Sequence, residues 1–136
     1  MSTFIDAKLI AELVTRLPLS VLKQSRNDPG INSVTAAISK SGHTYWGGRV
    51  ESDSNLLDIT SEQSALLLAA QQGDFGVTRL ITLVETDAPS VSPIALKIMA
   101  DWSARTELPL SYSLVSREGR CLFETKSVND TISWYI

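Results

Sequence analysis

Residues 58–74, DITSEQSALLLAAQQGD, read as a helix start followed by a buried helix. Thr60 and Gln63 have the spacing of a capping box, in which a threonine hydroxyl takes an N–H of the first turn. Ala65, Leu66, Leu67, Leu68, Ala69 and Ala70 are apolar almost all round, which predicts a helix packed between layers. Gly73 supplies the C-terminal stop. One carboxylate, Glu62, falls in the first turn, where the macrodipole favours an acid by about 0.3–1 kcal/mol. Helix electrostatics and active-site chemistry both account for it.

On the N-terminal side, INSVTAAISK (31–40) has strand character around Val34–Ile38, SGH makes a turn, and TYWGGRVE (44–51) reads as the returning strand. The doubled glycine at Gly47–Gly48 predicts a bulge or a close backbone approach. Earlier still, FIDAKLIAELVTR (4–16) carries apolar residues at helical spacing, Pro18 interrupts it, and LSVLKQS (19–25) suggests a shorter second piece. RNDPG (26–30) and residues 52–58 are loops. On the C-terminal side, GVTRLITLVE (76–85) is a strand and TDAPSVS (86–92) a loop. Ser92 and Pro93 then open the helix PIALKIMADWSAR (93–105), proline being favoured at a first helical position. LSYSLVS (110–116) and RCLFETK (120–126) form a hairpin around Arg117–Gly119, and SVNDTISWYI reads as a short helix with an apolar tail. The order predicts an α/β fold: one domain over residues 1–136, with a mixed five-stranded sheet and helices on both faces.

Composition narrows the function classes. A hydrophobic fraction of 43% supports a real core, so disorder is not expected. The net charge of −3 gives no electrostatic footprint for nucleic acid. No apolar run approaches the ~18–20 residues of a membrane span, and the first residues lack a signal peptide's basic region. One cysteine, Cys121, rules out an internal disulfide; together these features point to the cytoplasm. His43 sits in a turn, KSGHT, and reads as a solvated side chain. With one histidine and one cysteine, a zinc site of the usual ligand types has too few donors, so neither metal nor cofactor is expected. Neither GVTR nor GGRV matches a phosphate-binding loop.

VTAAISKSGHTYWGGRVE, ITSEQSALLLAAQQGD and VSPIALKIM, in this order and spacing, resemble the cytidine deaminase family and the related blasticidin-type aminohydrolases over residues from about 31 to 136. The resemblance implies their three-layer fold. In that family a hairpin strand ends in G-x-N-x-E, one helix opens with Cys-Ala-Glu or His-Ala-Glu, and a later helix opens with Pro-Cys-x-x-Cys. Three of these residues hold zinc, and the glutamate shuttles protons between the zinc-bound water and the ring. Carried over, the glutamate falls on Glu62 and the proline on Pro93, while the three ligand positions fall on Thr60, Ile94 and Lys97. The family's ribose-binding asparagine falls on Arg49, its strand glutamate on Glu51, and an aromatic position on Asn32.

The resemblance therefore implies a zinc-less homologue, a pseudoenzyme that binds a small molecule or serves as an oligomer subunit, with itself or with a paralogue. Its candidate substrate-binding residues are Arg49, Glu51, Thr60 and Asn32. The arginine fork would suit an anion, in place of or beside a nucleoside-like ligand. The implied geometry sets Lys97 against Glu62 as an ion pair filling the metal position. A second reading makes that pair catalytic, with acid–base chemistry and no metal. A third keeps zinc on atypical ligands.

Overall fold

The computed structural model describes residues 6–21, 32–52, 58–85 and 91–132. The proposed loop at 26–30, most of the 52–58 and 86–92 loops, and the tail SWYI lie outside them.

Five strands form one sheet, β1 (Ser33–Ser39), β2 (Thr44–Gly48), β3 (Val77–Val84), β4 (Ser111–Ser116) and β5 (Cys121–Thr125), in the order β2-β1-β3-β4-β5. Only β3 and β4 run parallel; the other neighbours are antiparallel. A parallel pair needs a crossover, and the helix α3 (Pro93–Thr106) provides it. Helix α1 (Ala7–Arg16) covers one face, where Leu13 and Leu17 pack on Val34, Ile81, Leu83 and Val115. Helix α2 (Ser61–Gln71), α3 and the short α4 (Val128–Ile132) cover the other, burying Leu66, Leu80, Leu96, Met99, Tyr112 and Val128. The expected α/β arrangement of a mixed sheet flanked by helices is what the chain adopts.

Local signals act where expected. Thr60 caps α2 by accepting the Gln63 N–H at 3.1 Å, and Ser92 caps α3 by accepting that of Ala95 at 3.3 Å. The doubled glycine marks a close approach: a side chain on Gly47 would overlap the α2 backbone at Ser64–Ala65, and one on Gly48 would overlap Leu19. The register shifts of the sheet lie elsewhere, at Ile38/Ser39 and Leu114/Val115. One expectation fails in part. Helix α2 is not buried all round, because the sheet and α3 occupy only part of its circumference; Leu67 and Leu68 remain 47% and 38% exposed.

The turns at one end of the sheet converge on Asp74, just past α2. Its carboxylate accepts from Tyr45 at 2.7 Å, from Ser39 at 2.8 Å, from the Gly76 N–H at 3.0 Å and from Ser41 at 3.1 Å. The Tyr45 bond, then the backbone and serine donors, hold its carboxyl down at about 2.

Candidate functional site

A cleft of about 260 Å³ opens where the N-terminal ends of α2 and α3 meet the segment after β2. Arg49 and Glu51 reach it from that segment, Thr60, Ser61 and Glu62 from α2, and Ile94 from α3. Four of the six residues singled out in the sequence, Arg49, Glu51, Thr60 and Glu62, therefore share one cavity. Arg49 Nε lies 3.9 Å from Glu51 Oε1; the guanidinium is 39% exposed while the carboxylate is buried. The two are neighbours along one segment.

Two residues are placed otherwise. Lys97 does not meet Glu62. Ile94 sits at the cleft, and Lys97, one turn further along α3, is exposed in a separate groove that it shares with Asp101, Arg105 and Trp102. Residues three apart on a helix share a face but stand a turn apart along the axis. Asn32 lies outside the cleft as well, donating to Glu85 Oε1 at 2.6 Å, with Arg117 on the other carboxylate oxygen at 2.9 Å. Side chains alternate across a strand: Val34 on β1 packs on the α1 side and Ser33 and Thr35 point to α2, so the position beside Ser33 is turned from the cleft.

Glu62, only 6% exposed, is held by hydroxyls rather than by a cation. Its Oε2 accepts from Tyr112 at 2.6 Å and from Thr82 at 2.8 Å. Thr82 and Thr35 are linked at 2.6 Å, Thr35 and Ser61 at 2.9 Å, and Ser33 and Ser61 at 3.3 Å. The chain thus runs from the buried carboxylate back to Ser33 and Ser61, which line the cleft. Burial, and then the charge of Glu62, push the Tyr112 phenol well above its ordinary value. Sequence reasoning missed this chain. Its trace was visible as a threonine inside each of two apolar strands, VTAAI and LITLV.

The donor set at the cleft does not fit a zinc ion. Its lining offers carboxylates and hydroxyls, without thiol or imidazole, and among the described residues no three His, Cys, Asp or Glu side chains group closely enough to hold a metal. Among the described residues no helix is long and apolar enough to cross a membrane.

The sheet and its flanking helices are those of an α/β protein of the cytidine deaminase fold. The chain is similar to the cytidine deaminase of Burkholderia pseudomallei, with a TM-score of 0.75 at 19% identity over 93% of this chain and 95% of that one. It is also similar to the enzyme of Mycobacterium leprae, with a TM-score of 0.65 at 11% identity over 95% and 98%. For the Mycobacterium tuberculosis enzyme the TM-score is 0.63 at 13% identity, over 94% of each chain. No family model matches the chain, and no curated protein matches it by sequence.

Proposed function

We propose that this protein is a cytidine deaminase-like chain that works without zinc, as a small-molecule-binding module of the cytoplasm. The observation that carries the reading is the cleft itself. The positions that resemble the family's ligand sites hold a capping threonine at Thr60, an exposed isoleucine at Ile94 and a lysine in another groove, yet Glu62, Arg49 and Glu51 still converge. Without a metal the water-activating term of zinc chemistry has no source. Glu62, taken up by Tyr112 and Thr82, suits a positioned recognition group better than the freely exchanging acid of a metal-independent enzyme. That alternative also loses Lys97 as a partner.

A second feature supports assembly with another copy or a paralogue. Leu67, Leu68, Phe75 and Ile94 are exposed along the α2 and α3 side of the molecule. Leu67 lines an apolar groove of about 380 Å³ and Phe75 stacks on Trp102 beside it, and such surfaces mark contacts more often than bare solvent faces.

Native mass spectrometry of protein purified gently, before and after incubation with zinc, tests both. The expected spectrum is metal-free after desalting, with a bound small molecule, and in more than one copy. Stoichiometric zinc retained through desalting refutes the zinc-less reading. A strictly monomeric spectrum refutes assembly.

A further inference from the structure

We infer that the exposed row of α3 is the seam of a symmetric dimer, in which Lys97 of each copy pairs with Asp101 of the other. The inference rests on the proposed assembly and deepens it by naming the partner, a second copy of this chain. Charge and shape support it separately.

Lys97, Asp101 and Arg105 stand four residues apart along α3, all exposed, and alternate in sign. That spacing keeps them in one row on the helix surface. Arg105 Nε is committed to Asp101 Oδ2 at 2.9 Å. Lys97, one turn from Asp101, forms no ion pair with it, and Asp101 Oδ1 has no partner among the described residues. The row thus offers an unpaired cation beside a half-open carboxylate, a set that its own copy complements. In a two-fold contact, what one copy offers the other receives. Two α3 helices running antiparallel about the midpoint of Lys97 and Asp101 make the same pair twice. That midpoint lies at the middle of α3, Pro93–Thr106, so the whole helix, about 21 Å long, overlaps its mate. Arg105 then falls opposite Pro93 of the second copy, and no like charges meet. A two-fold between Asp101 and Arg105 would instead carry the first turns past the other helix's end.

The row is also bordered by apolar surface. In the same arrangement exposed Ile94 falls opposite Ala104 of the second copy, a small and exposed residue. On the α2 side, exposed Leu67 edges the apolar groove that Lys97 and Asp101 also line. Covering these side chains supplies the burial that exposed ion pairs lack. One helix seam with such a border is a small interface, so a micromolar dissociation constant is expected.

Sedimentation velocity of the full-length protein, from micromolar to submillimolar concentration, tests the seam. The wild type is expected as a dimer or a multiple of one. Lys97→Asp sets carboxylate against carboxylate across the seam, and Asp101→Lys sets cation against cation. Each alone should weaken association at least about tenfold. Mixed in equal amounts, the two variants should recover a dimer holding one of each, because every seam pair is again of opposite sign. That recovery also shows both variants to be folded. A wild type that stays monomeric overturns this inference and the assembly reading together, and leaves the cleft's binding role to its own test. Single variants that associate like the wild type, or a mixture that does not recover, overturn the seam and leave assembly through another surface.

Discussion

Replacing Tyr112 by phenylalanine isolates one bond of the buried network. The ring and its place among Leu80, Leu114 and Phe123 are kept, and only the hydroxyl that donates to Glu62 Oε2 at 2.6 Å is lost. A hydrogen bond to a charged group contributes about 1.5–3 kcal/mol net. The cost here belongs in the upper half of that range, because the carboxylate is buried and keeps only Thr82 on that oxygen. Tyr112→Phe should therefore destabilise by about 2–3 kcal/mol, or roughly 10 °C in a domain of this size. Urea unfolding with an unchanged m-value reads the first figure directly. In a Glu62→Gln background the bond is neutral, so the same substitution should cost about 1 kcal/mol and leave a coupling of about 1–2 kcal/mol. A loss below about 0.5 kcal/mol in the wild-type background would refute the assignment of Tyr112 as the main anchor of Glu62. The phenol also sets an alkaline limit. Because its folded-state pKa is raised, its contribution is complete below its ordinary value near 10 and is lost as pH rises beyond it.

Lys97→Met should change stability by less than about 0.5 kcal/mol and show no coupling to Glu62→Gln in a double-mutant cycle; coupling above about 1 kcal/mol would restore the ion pair. Gly47→Ala forces a methyl into the α2 backbone, so circular dichroism should show a loss of about 3 kcal/mol or more, or no folded protein. An unperturbed melt would mean the two elements stand further apart. Asp74 has its carboxyl held at about 2, below the unfolded value of about 3.9. Its contribution is therefore present above about pH 4 and drains away as pH falls towards about 2. Asp74→Asn should flatten that part of an acid stability profile, and an unchanged slope there rejects the Asp74 hub.

Much of the fold was legible because the signals are local. The Thr60 and Ser92 caps, Pro93 at a first helical position and the two hairpins each depend on residues a few positions apart. The site was legible where one segment or helix end carries it, as for Arg49, Glu51, Thr60 and Glu62. It failed where placement depends on rotation or reach in space. Asn32 stands one residue from Ser33, yet strand alternation sends the two to opposite faces. Lys97 stands three residues from Ile94, yet a helical turn separates their cavities. The Tyr112–Glu62 bond joins residues fifty apart in sequence, with no local pattern to announce it.

The two oxygens of Glu62 have different surroundings. Oε2 belongs to the fold: it ends a hydroxyl chain that crosses from β1 through β3 and meets β4 at Tyr112. Oε1 takes no part in that chain. Under the proposed binding role, a substitution at Glu62 would remove the buried anchor and the ligand contact at once, so lost binding there would not separate a missing contact from a loosened core. The two are separable one step away. Thr82 and Tyr112 touch only the inner oxygen, and changes there should act first on stability. Ser33 and Arg49 line the cleft with their polar atoms on Ser61 and Glu51 rather than on Glu62, and under the proposed binding role changes there should act first on ligand. If stability and binding instead fell in proportion across all four positions, the cleft would be no more than a surface of the core.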